Sequence, residues 1–317
     1  MSPMVAVSGT GSIGMRHLTL LQQLEGVRPI AVPKRKERLA VLQSQGFVVA
    51  SSLKEAADQG AKLAVIASNT GEHVHDSLSA IECEMDLLVE KPLSVDAVQS
   101  WEIYQAAQKK QRKLFVGCPL RFSESLNIFR EWLPKIGRVY AVRIECQSFL
   151  PDWRPRPYQE SYSAKAVEGG VLRDLIHEID YAIWLFGRAK NVRANLQNTG
   201  RLRIEAEEFA ELWWQTDSGA SVSLCLDYLS RIPRRQMRAF GEKGNLEWDG
   251  IAQKVSLQQP KHSEEFLSRQ SRDEMYLAQL KTFLKACSTS KSDSFLASGL
   301  EGFEALRVCD TARSSKP

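Results

Sequence analysis

Four short stretches of this chain carry residue types and spacings that could do chemistry. The first is Val5-Ala6-Val7-Ser8-Gly9-Thr10-Gly11-Ser12-Ile13-Gly14, a run with strand character that leads straight into G-x-G-x-x-G. Gly9 suits a tight turn out of a strand, Gly11 lets backbone approach a pyrophosphate with no Cβ in the way, and Gly14 lets the next helix pack closely on the strand. Phosphates would rest on the helix N-terminus, with Thr10, Ser12 and Ile13 completing the loop, because unpaired N–H groups and the helix dipole favour negative charge there. A glycine-rich turn without function is the alternative; the strand before it and the helical pattern after it favour a dinucleotide site. The second stretch is Val32-Pro33-Lys34-Arg35-Lys36-Glu37-Arg38. NAD enzymes usually place Asp or Glu at this strand end to hold the ribose 2′-OH. No acid stands there, and Lys34 and Arg35 match a 2′-phosphate instead, so NADP is expected ahead of NAD. The alternative is a solvated basic helix start, which cations at a helix N-terminus make less comfortable.

The third stretch, Leu87-Leu88-Val89-Glu90-Lys91-Pro92, presents a cation at a strand end with proline fixing the turn. On spacing alone, a surface ion pair and a turn proline account for it. The fourth runs from Glu168 to Gly187. At about 100° per residue, Val171, Leu175, Ile179, Ile183 and Phe186 make one apolar stripe, and Asp174, His177 and Tyr181 fall opposite. Asp174 and His177 are three apart and can touch on a helix. A carboxylate beside an imidazole that titrates near neutrality suits proton transfer; a solvated helix face is the alternative, and periodicity alone favours it.

These residues need elements to hold them. Residues 1–120 alternate strand and helix patterns, the mark of a parallel sheet with helices on both faces. Strands are expected at Val5–Ser8, Val27–Val32, Phe47–Ala50, Leu63–Ala67, Asp86–Val89 and Leu114–Gly117. Helices are expected at Ser12–Gln23, Lys36–Gln45, after the capping-box signature Ser52-Leu53-Lys54-Glu55, at His73–Glu82 and at Ser94–Lys110. Ser68-Asn69-Thr70-Gly71-Glu72-His73 follows the fourth strand, and such loops form the ligand crevice, which makes Ser68, Asn69 and His73 cofactor candidates. Residues 121–317 read as a second, α+β domain. It has a helix at Ser123–Leu133, a long strand at Gly137–Gln147 and strands at Asn191–Asn198, Glu207–Thr216, Ala220–Asp227, Arg235–Gly241, Asn245–Asp249 and Lys254–Leu257. Closing helices are expected at Met275–Ala286 and Ser298–Ser314. Leu150-Pro151-Asp152-Trp153-Arg154-Pro155-Arg156-Pro157-Tyr158 is a stiff loop, either a substrate lip using Trp153, Arg154 and Tyr158 or an interface segment.

The chain has 317 residues, enough for two domains, and a net charge of +4 that calls for neither nucleic acid nor a membrane surface. No apolar run approaches the ~20 residues of a membrane span, and the N-terminus lacks a signal-peptide pattern. Six scattered cysteines without C-x-x-C fit reduced cytoplasmic thiols and give no metal signature.

The glycine loop closed by Arg16-His17, the segment Leu88-Val89-Glu90-Lys91-Pro92-Leu93 and the segment Val116-Gly117-Cys118-Pro119-Leu120-Arg121-Phe122 resemble the glucose–fructose oxidoreductase/inositol dehydrogenase/MocA family. The resemblance implies a Rossmann domain plus an α+β domain with a large sheet, and a nicotinamide-dependent oxidoreductase acting on a sugar or polyol. It assigns Lys91 to the reacting hydroxyl, places Glu90, Lys91 and Arg121 at the cofactor, and implies a cis peptide before Pro92. It also makes Asp174 and His177 catalytic and part of the substrate site. The commoner family form has Asp four residues before His with a Gly between; here the spacing is three and that Gly is absent. The Asp-Leu-x-His-Glu-x-Asp form resembles a subgroup near bacterial surface-polysaccharide pathways, which points to a sugar or nucleotide sugar. The family often forms homodimers or homotetramers through its second-domain sheet. Two alternatives stay open: a glycoside hydrolase of the same fold with tightly held NAD, and a non-catalytic, dehydrogenase-like regulator that binds cofactor and a partner protein.

Overall fold

Short apolar runs separated by helix signals give the N-terminal part its architecture. The computed structural model describes residues 3–155, 157–289 and 293–315. The chain divides into two compact units, Met1–Pro119 with Ser271–Phe303, and Leu120–Gln270 with Glu304–Pro317.

In the first unit, strands β1 (Met4–Ser8), β2 (Arg28–Val32), β3 (Val48–Val49), β4 (Leu63–Ile66), β5 (Asp86–Glu90) and β6 (Leu114–Gly117) are mutually parallel and run in the order 6-5-4-1-2-3. Val5–Val7, Ala64–Ile66 and Leu87–Val89 are fully buried, as expected of strands covered on both faces. Helices α1 (Ser12–Gln22), α2 (Arg38–Ser44), α3 (Leu53–Asp58), α4 (His73–Glu82) and α5 (Ala97–Lys109) make the crossovers. The order turns back at β1, so a crevice opens at the C-terminal ends of β1 and β4. Half of the expected capping box forms at α3. Ser52 Oγ accepts from the Glu55 amide, but the Glu55 carboxylate returns to the Ser51 amide, 2.7 Å away, rather than to Ser52.

A single boundary near residue 120 does not describe the chain. Helix α9 (Arg272–Ser288), expected in the second domain, belongs to the first unit, as does the two-residue strand β15 (Ala297–Ser298), which the sequence reading omits and which pairs antiparallel to β6. Ser271 and Glu274 form a complete capping box at the start of α9. At its end Lys113 Nζ donates to the carbonyls of Ala286 and Thr289, at 2.5 and 2.6 Å, which satisfies acceptors that a helix terminus leaves open. These contacts are long-range, so local periodicity carries no trace of them.

The second unit is an eight-stranded sheet with helix α6 (Glu124–Trp132). Its strands are β7 (Val139–Gln147), β8 (Lys190–Gln197), β9 (Phe209–Gln215), β10 (Ser221–Asp227), β11 (Arg234–Gly241), β12 (Gly244–Asp249), β13 (Lys254–Gln259) and β14 (His262–Leu267), in the order 14-13-12-11-7-10-9-8. Among the described residues of this sheet, only β7 and β10 pair in parallel. Strand β9 alternates buried and exposed residues along its length, the signature of a sheet with one face packed and one face open. Strand β14, His-Ser-Glu-Glu-Phe-Leu, is an edge strand that the sequence reading omits, since its polar composition hides the pattern. Helix α10 (Gly299–Ser314) runs across the division between the units.

The expected single helix over 168–187 is two. Helix α7 (Val171–Asp174) stops at Leu175, whose φ/ψ of −97/28° is not helical, and α8 (Ile176–Phe186) starts afresh. The one-sided apolar stripe does not hold either. Asp174, Glu178, Asp180 and Tyr181 are buried, while Ile183 and Phe186 are partly exposed. The helix is enclosed on several sides, and its polar groups are tolerated because they pair inside the unit, as described below.

Candidate active site

In the first unit the glycine loop makes an open cradle. Gly9 has φ +87° and its backbone abuts Ala67 and Ser68, and a Cβ on Gly14 would lie 1.8 Å from the Gly9 carbonyl oxygen. A Cβ on Gly11 would meet nothing within 4 Å. No side chain caps the N-terminus of α1. Its first amides and the space over Gly11 therefore offer an anion the donors that P-loop-like and Rossmann turns use. These residues fit a dinucleotide pyrophosphate.

Other first-unit candidates have acquired internal partners. The buried Glu90 carboxylate sits 2.7 Å from Nε2 of fully buried His17, and the His17 ring meets Tyr276 of α9 edge-on. Glu90 thus ties β5 to α1. Both nitrogens of His73 face backbone carbonyls, Nδ1 that of Pro92 at 2.9 Å and Nε2 that of Ser68 at 3.1 Å. A neutral ring has one N–H, so His73 donates to one of these carbonyls and packs against the other, between the loop after β4 and the turn that carries Lys91. Ser68 Oγ is spent on Asp76, while Asn69 is exposed. Lys34, expected to face a 2′-phosphate, has its Nζ 2.6 Å from Asp76 Oδ1 and 3.6 Å from Glu72 Oε2. Arg35 is exposed. Lys91 is half-buried directly after β5, and its peptide bond to Pro92 is cis, as the family resemblance implies.

Burial pushes the His73 imidazole below its ordinary pKa of 6.5, so the folded state prefers it neutral. With the folded value depressed, its stabilising contribution is full above the ordinary value and is lost as pH falls through the folded one. Below neutrality the melting temperature should therefore drop more steeply in the native protein than in a His73→Gln variant; parallel curves would remove His73 from the account.

In the second unit, Asp174 Oδ2 accepts from the Tyr228 hydroxyl at 2.6 Å. Tyr162 also faces this carboxylate, and burial pushes both phenols well above their ordinary pKa, so they stay protonated donors. Asp174 ends α7 and His177 lies in the first turn of α8, with Leu175 interrupting the helix between them. Gly170, with φ +90°, precedes α7, and a Cβ there would lie 2.2 Å from the Glu207 carboxylate. Glu207 accepts from the Leu172 amide, and Arg313 reaches both of its oxygens at 2.7 and 2.9 Å. Burial pushes the Glu207 carboxyl up to about 7.

Arg121 sits in this second unit and is only 1% exposed. Its Nε and Nη2 make a two-pronged pair with Asp180, at 3.0 and 2.6 Å, and its guanidinium stands 5.4 Å from the Trp184 ring centre. That pair braces α8 from within the second unit. Glu178, fully buried on the same helix, pairs with Arg235 of β11 at 2.8 Å. Sequence reading missed Tyr228, Glu207, Arg235 and Arg313, each far in the chain from its partner. Asp180 alone carried a signal, as the last acid of the Asp-Leu-x-His-Glu-x-Asp form.

The expected substrate lip braces itself. Trp153 Nε1 donates to Ser148 Oγ at 2.9 Å and its ring meets Tyr228 edge-on, while the Tyr158 hydroxyl donates to the Leu202 carbonyl at 3.1 Å. Arg154 stays exposed, 5.5 Å from the Tyr162 ring centre, and Arg156 lies outside the described residues. Leu150, Trp153, Arg154, Tyr158, Ser161 and Ser163 line a small cleft here. All six cysteines are thiols. Among the described residues no cluster of His, Cys, Asp or Glu could hold a metal ion, and no helix is long and apolar enough to cross a membrane.

Residues 4–118 match the model of the oxidoreductase family with an NAD-binding Rossmann fold, and residues 134–247 match the GFO/IDH/MocA C-terminal domain. The chain belongs to the Gfo/Idh/MocA family. Among curated family members, myo-inositol 2-dehydrogenase of Thermotoga maritima is 24% identical, over 98% of this chain and 95% of that protein. UDP-N-acetylglucosamine 3-dehydrogenase of Acidithiobacillus ferrooxidans is 24% identical, over 73% of this chain and 70% of that protein. The solved structure of the WlbA dehydrogenase from Bordetella pertussis, in complex with NADH and UDP-GlcNAcA, superposes with a TM-score of 0.83 at 21% identity, covering 99% of this chain and 96% of that one. This Gfo/Idh/MocA chain therefore has an NAD-binding Rossmann domain, and its open glycine cradle is where such a domain holds the pyrophosphate.

Proposed function

We propose that this Gfo/Idh/MocA chain is an NAD(P)-dependent dehydrogenase or reductase acting on a CH–OH group of a sugar or nucleotide sugar, with Lys91 and His177 as its acid–base machinery. The open cradle at Gly11, on a sheet that turns back at β1, carries the cofactor half of this reading. Relatives named for inositol and for a UDP-amino sugar support the substrate half, and the Asp-Leu-x-His-Glu-x-Asp form supports a surface-glycan precursor.

When bound, the nicotinamide supplies a hydride acceptor. His177 takes the hydroxyl proton as the C–H bond breaks, so that a neutral carbonyl forms. Lys91 holds the same oxygen and stabilises the negative charge that builds on it. Asp174, fixed by Tyr228, favours the imidazolium that forms on His177. In reduction, the two groups polarise the carbonyl and return the proton. Trp153, Arg154 and Tyr158 form the wall that meets the remainder of the substrate.

A panel of polyols, free sugars and UDP-sugars, read by nicotinamide absorbance with both cofactors, tests this reading. Turnover confined to one sugar class supports it. Cofactor that binds without turnover across the panel would favour a regulator, and cofactor retained through desalting with glycoside cleavage would favour a hydrolase.

Arg35, exposed at the end of β2, is the cation we assign to a 2′-phosphate. One well-placed charge-assisted bond is worth roughly 1.5–3 kcal/mol, so NADPH should bind at least about tenfold tighter than NADH. Equal dissociation constants by calorimetry would sink this assignment.

We also assign the open face of the second sheet to a homodimer or homotetramer contact. In cross-strand register, Arg143, Trp213 and Arg193 form one row and Glu145, Glu211 and Asn195 the next. A two-fold related copy can set the basic row against the acidic one. Light scattering at micromolar concentration should give at least twice the chain mass of 35.7 kDa. We place the protein in the cytoplasm, where its thiols would stay reduced.

A further inference from the structure

The first unit contains a buried carboxylate that the proposed reaction does not use. Asp76, on α4, is 2% exposed and accepts from three side chains: Ser8 Oγ at 2.8 Å, Ser68 Oγ at 2.8 Å and Lys34 Nζ at 2.6 Å. Both hydroxyls go to Oδ2 and the ammonium goes to Oδ1. Ser8 ends β1, in register with Val32 at the end of β2 and with Ile66 at the end of β4. Ser68 follows β4. The carboxylate therefore lies at the C-terminal edge of the three strands around the switch point, where an open α/β sheet takes its ligand.

This placement decides what Lys34 can do. Its ammonium has one full negative charge in contact, and a second, on Glu72, 3.6 Å away. A phosphate reaching Lys34 must displace the Asp76 carboxylate or approach it against like charge. Leaving that carboxylate buried without its cation is costly. Arg35 is exposed and forms no ion pair among the described residues.

We propose that Asp76 is a specificity-determining residue that pins and neutralises Lys34, so that the 2′-phosphate is read by Arg35 and the preference for the phosphorylated cofactor is held below what this basic strand end would otherwise give. The inference rests on the assignment of the end of β2 to the 2′-phosphate. Ser8 and Ser68 are positioning residues that fix the Asp76 carboxylate. The device tempers discrimination without removing it and leaves room for both nicotinamide cofactors.

The test is equilibrium binding by calorimetry with NADPH and NADH, and with 2′,5′-ADP and 5′-AMP as probes that lack the nicotinamide. Asp76→Asn keeps the size of the group and removes its charge. It should tighten NADPH and 2′,5′-ADP by about tenfold while NADH and 5′-AMP move less than about twofold. Lys34→Met in the native background should weaken NADPH by less than about threefold, and in the Asp76→Asn background it should erase the gain. A shift common to all four ligands in Asp76→Asn, or a loss of about tenfold from Lys34→Met alone, overturns the proposal. The Lys34→Met result decides by itself if Asp76→Asn does not fold. Failure of the cofactor assignment reads differently. Native protein that binds NADH as tightly as NADPH, with Arg35→Ala without effect, rejects that assignment, while a gain in Asp76→Asn confined to the 2′-phosphate ligands still establishes the role of Asp76.

Discussion

His177→Ala and Lys91→Ala should each lower turnover on the true substrate by about 10²–10⁴, with the dissociation constant of the nicotinamide cofactor changed by less than about threefold. Taking a hydride from carbon leaves positive charge there unless the hydroxyl proton departs as well. A base with a pKa near working pH is therefore needed, and imidazole supplies one. The same oxygen passes through alkoxide character, and a lysine ammonium stabilises that state more than the neutral hydroxyl, which is what lowers a barrier. Lys91 leaves β5 at the C-terminal edge of the nucleotide sheet, on a turn fixed by His73. His177 lies in the first turn of α8, whose position is held by the Arg121–Asp180 and Arg235–Glu178 pairs. Neither residue belongs to the glycine loop, so cofactor affinity should survive both substitutions. Stopped-flow turnover together with cofactor titration separates the two effects. Near-native turnover in His177→Ala would remove it as the base. The nearest alternative on sequence grounds, Tyr181, does not take its place: it is fully buried, edge-on to Trp248, and its pKa is pushed well above the ordinary value by burial and by Glu178.

Arg121→Met should destabilise the second unit by about 3–5 kcal/mol, a fall of about 6–20 °C in its melting temperature. Removing the guanidinium strands the Asp180 carboxylate, 4% exposed, with no cation to balance it. The loss reflects that uncompensated buried charge more than the intrinsic worth of the pair. The double variant Arg121→Met/Asp180→Leu should therefore recover much of the stability, because a buried ion pair can be exchanged for apolar packing at little cost. Trp184, with Arg121 and Arg130 at 5.4 and 4.7 Å from its ring centre, should report the loosening through its fluorescence. Calorimetry of the single and double variants measures the expected loss and recovery. A single variant with native melting temperature and a cofactor bound tenfold more weakly would return Arg121 to the ligand site and reject the structural brace.

Local sequence was enough wherever function depends on backbone shape. The glycine spacing Gly9, Gly11, Gly14 determines a positive-φ turn, an open face and a close helix contact, because each requirement acts within a few residues. The parallel strands of the first unit were legible for the same reason: a strand buried on both faces is a continuous apolar run, and β4, Leu-Ala-Val-Ile, has no polar residue to obscure it. The alternation in β9 and β10 was equally plain. Edge strand β14, which buries little, was not.

Tertiary structure alone decided the partners of the charged residues. Lys34 and Asp76 are 42 positions apart, Arg121 and Asp180 59, Asp174 and Tyr228 54. A charge in sequence reads the same whether it meets solvent, a phosphate or a buried opposite charge, since its role follows from desolvation and from whatever group stands a few ångströms away. For that reason Lys34, Glu90, His73 and Arg121 read as ligand contacts in the sequence, and the internal partner each one holds is visible only in the fold. The break at Leu175 is of the same kind. Periodicity predicts one helix, but the Glu207 carboxylate at Gly170, the Tyr228 hydroxyl on Asp174 and the buried pairs of Glu178 and Asp180 impose two, because satisfying buried polar groups outweighs the small cost of interrupting a helix.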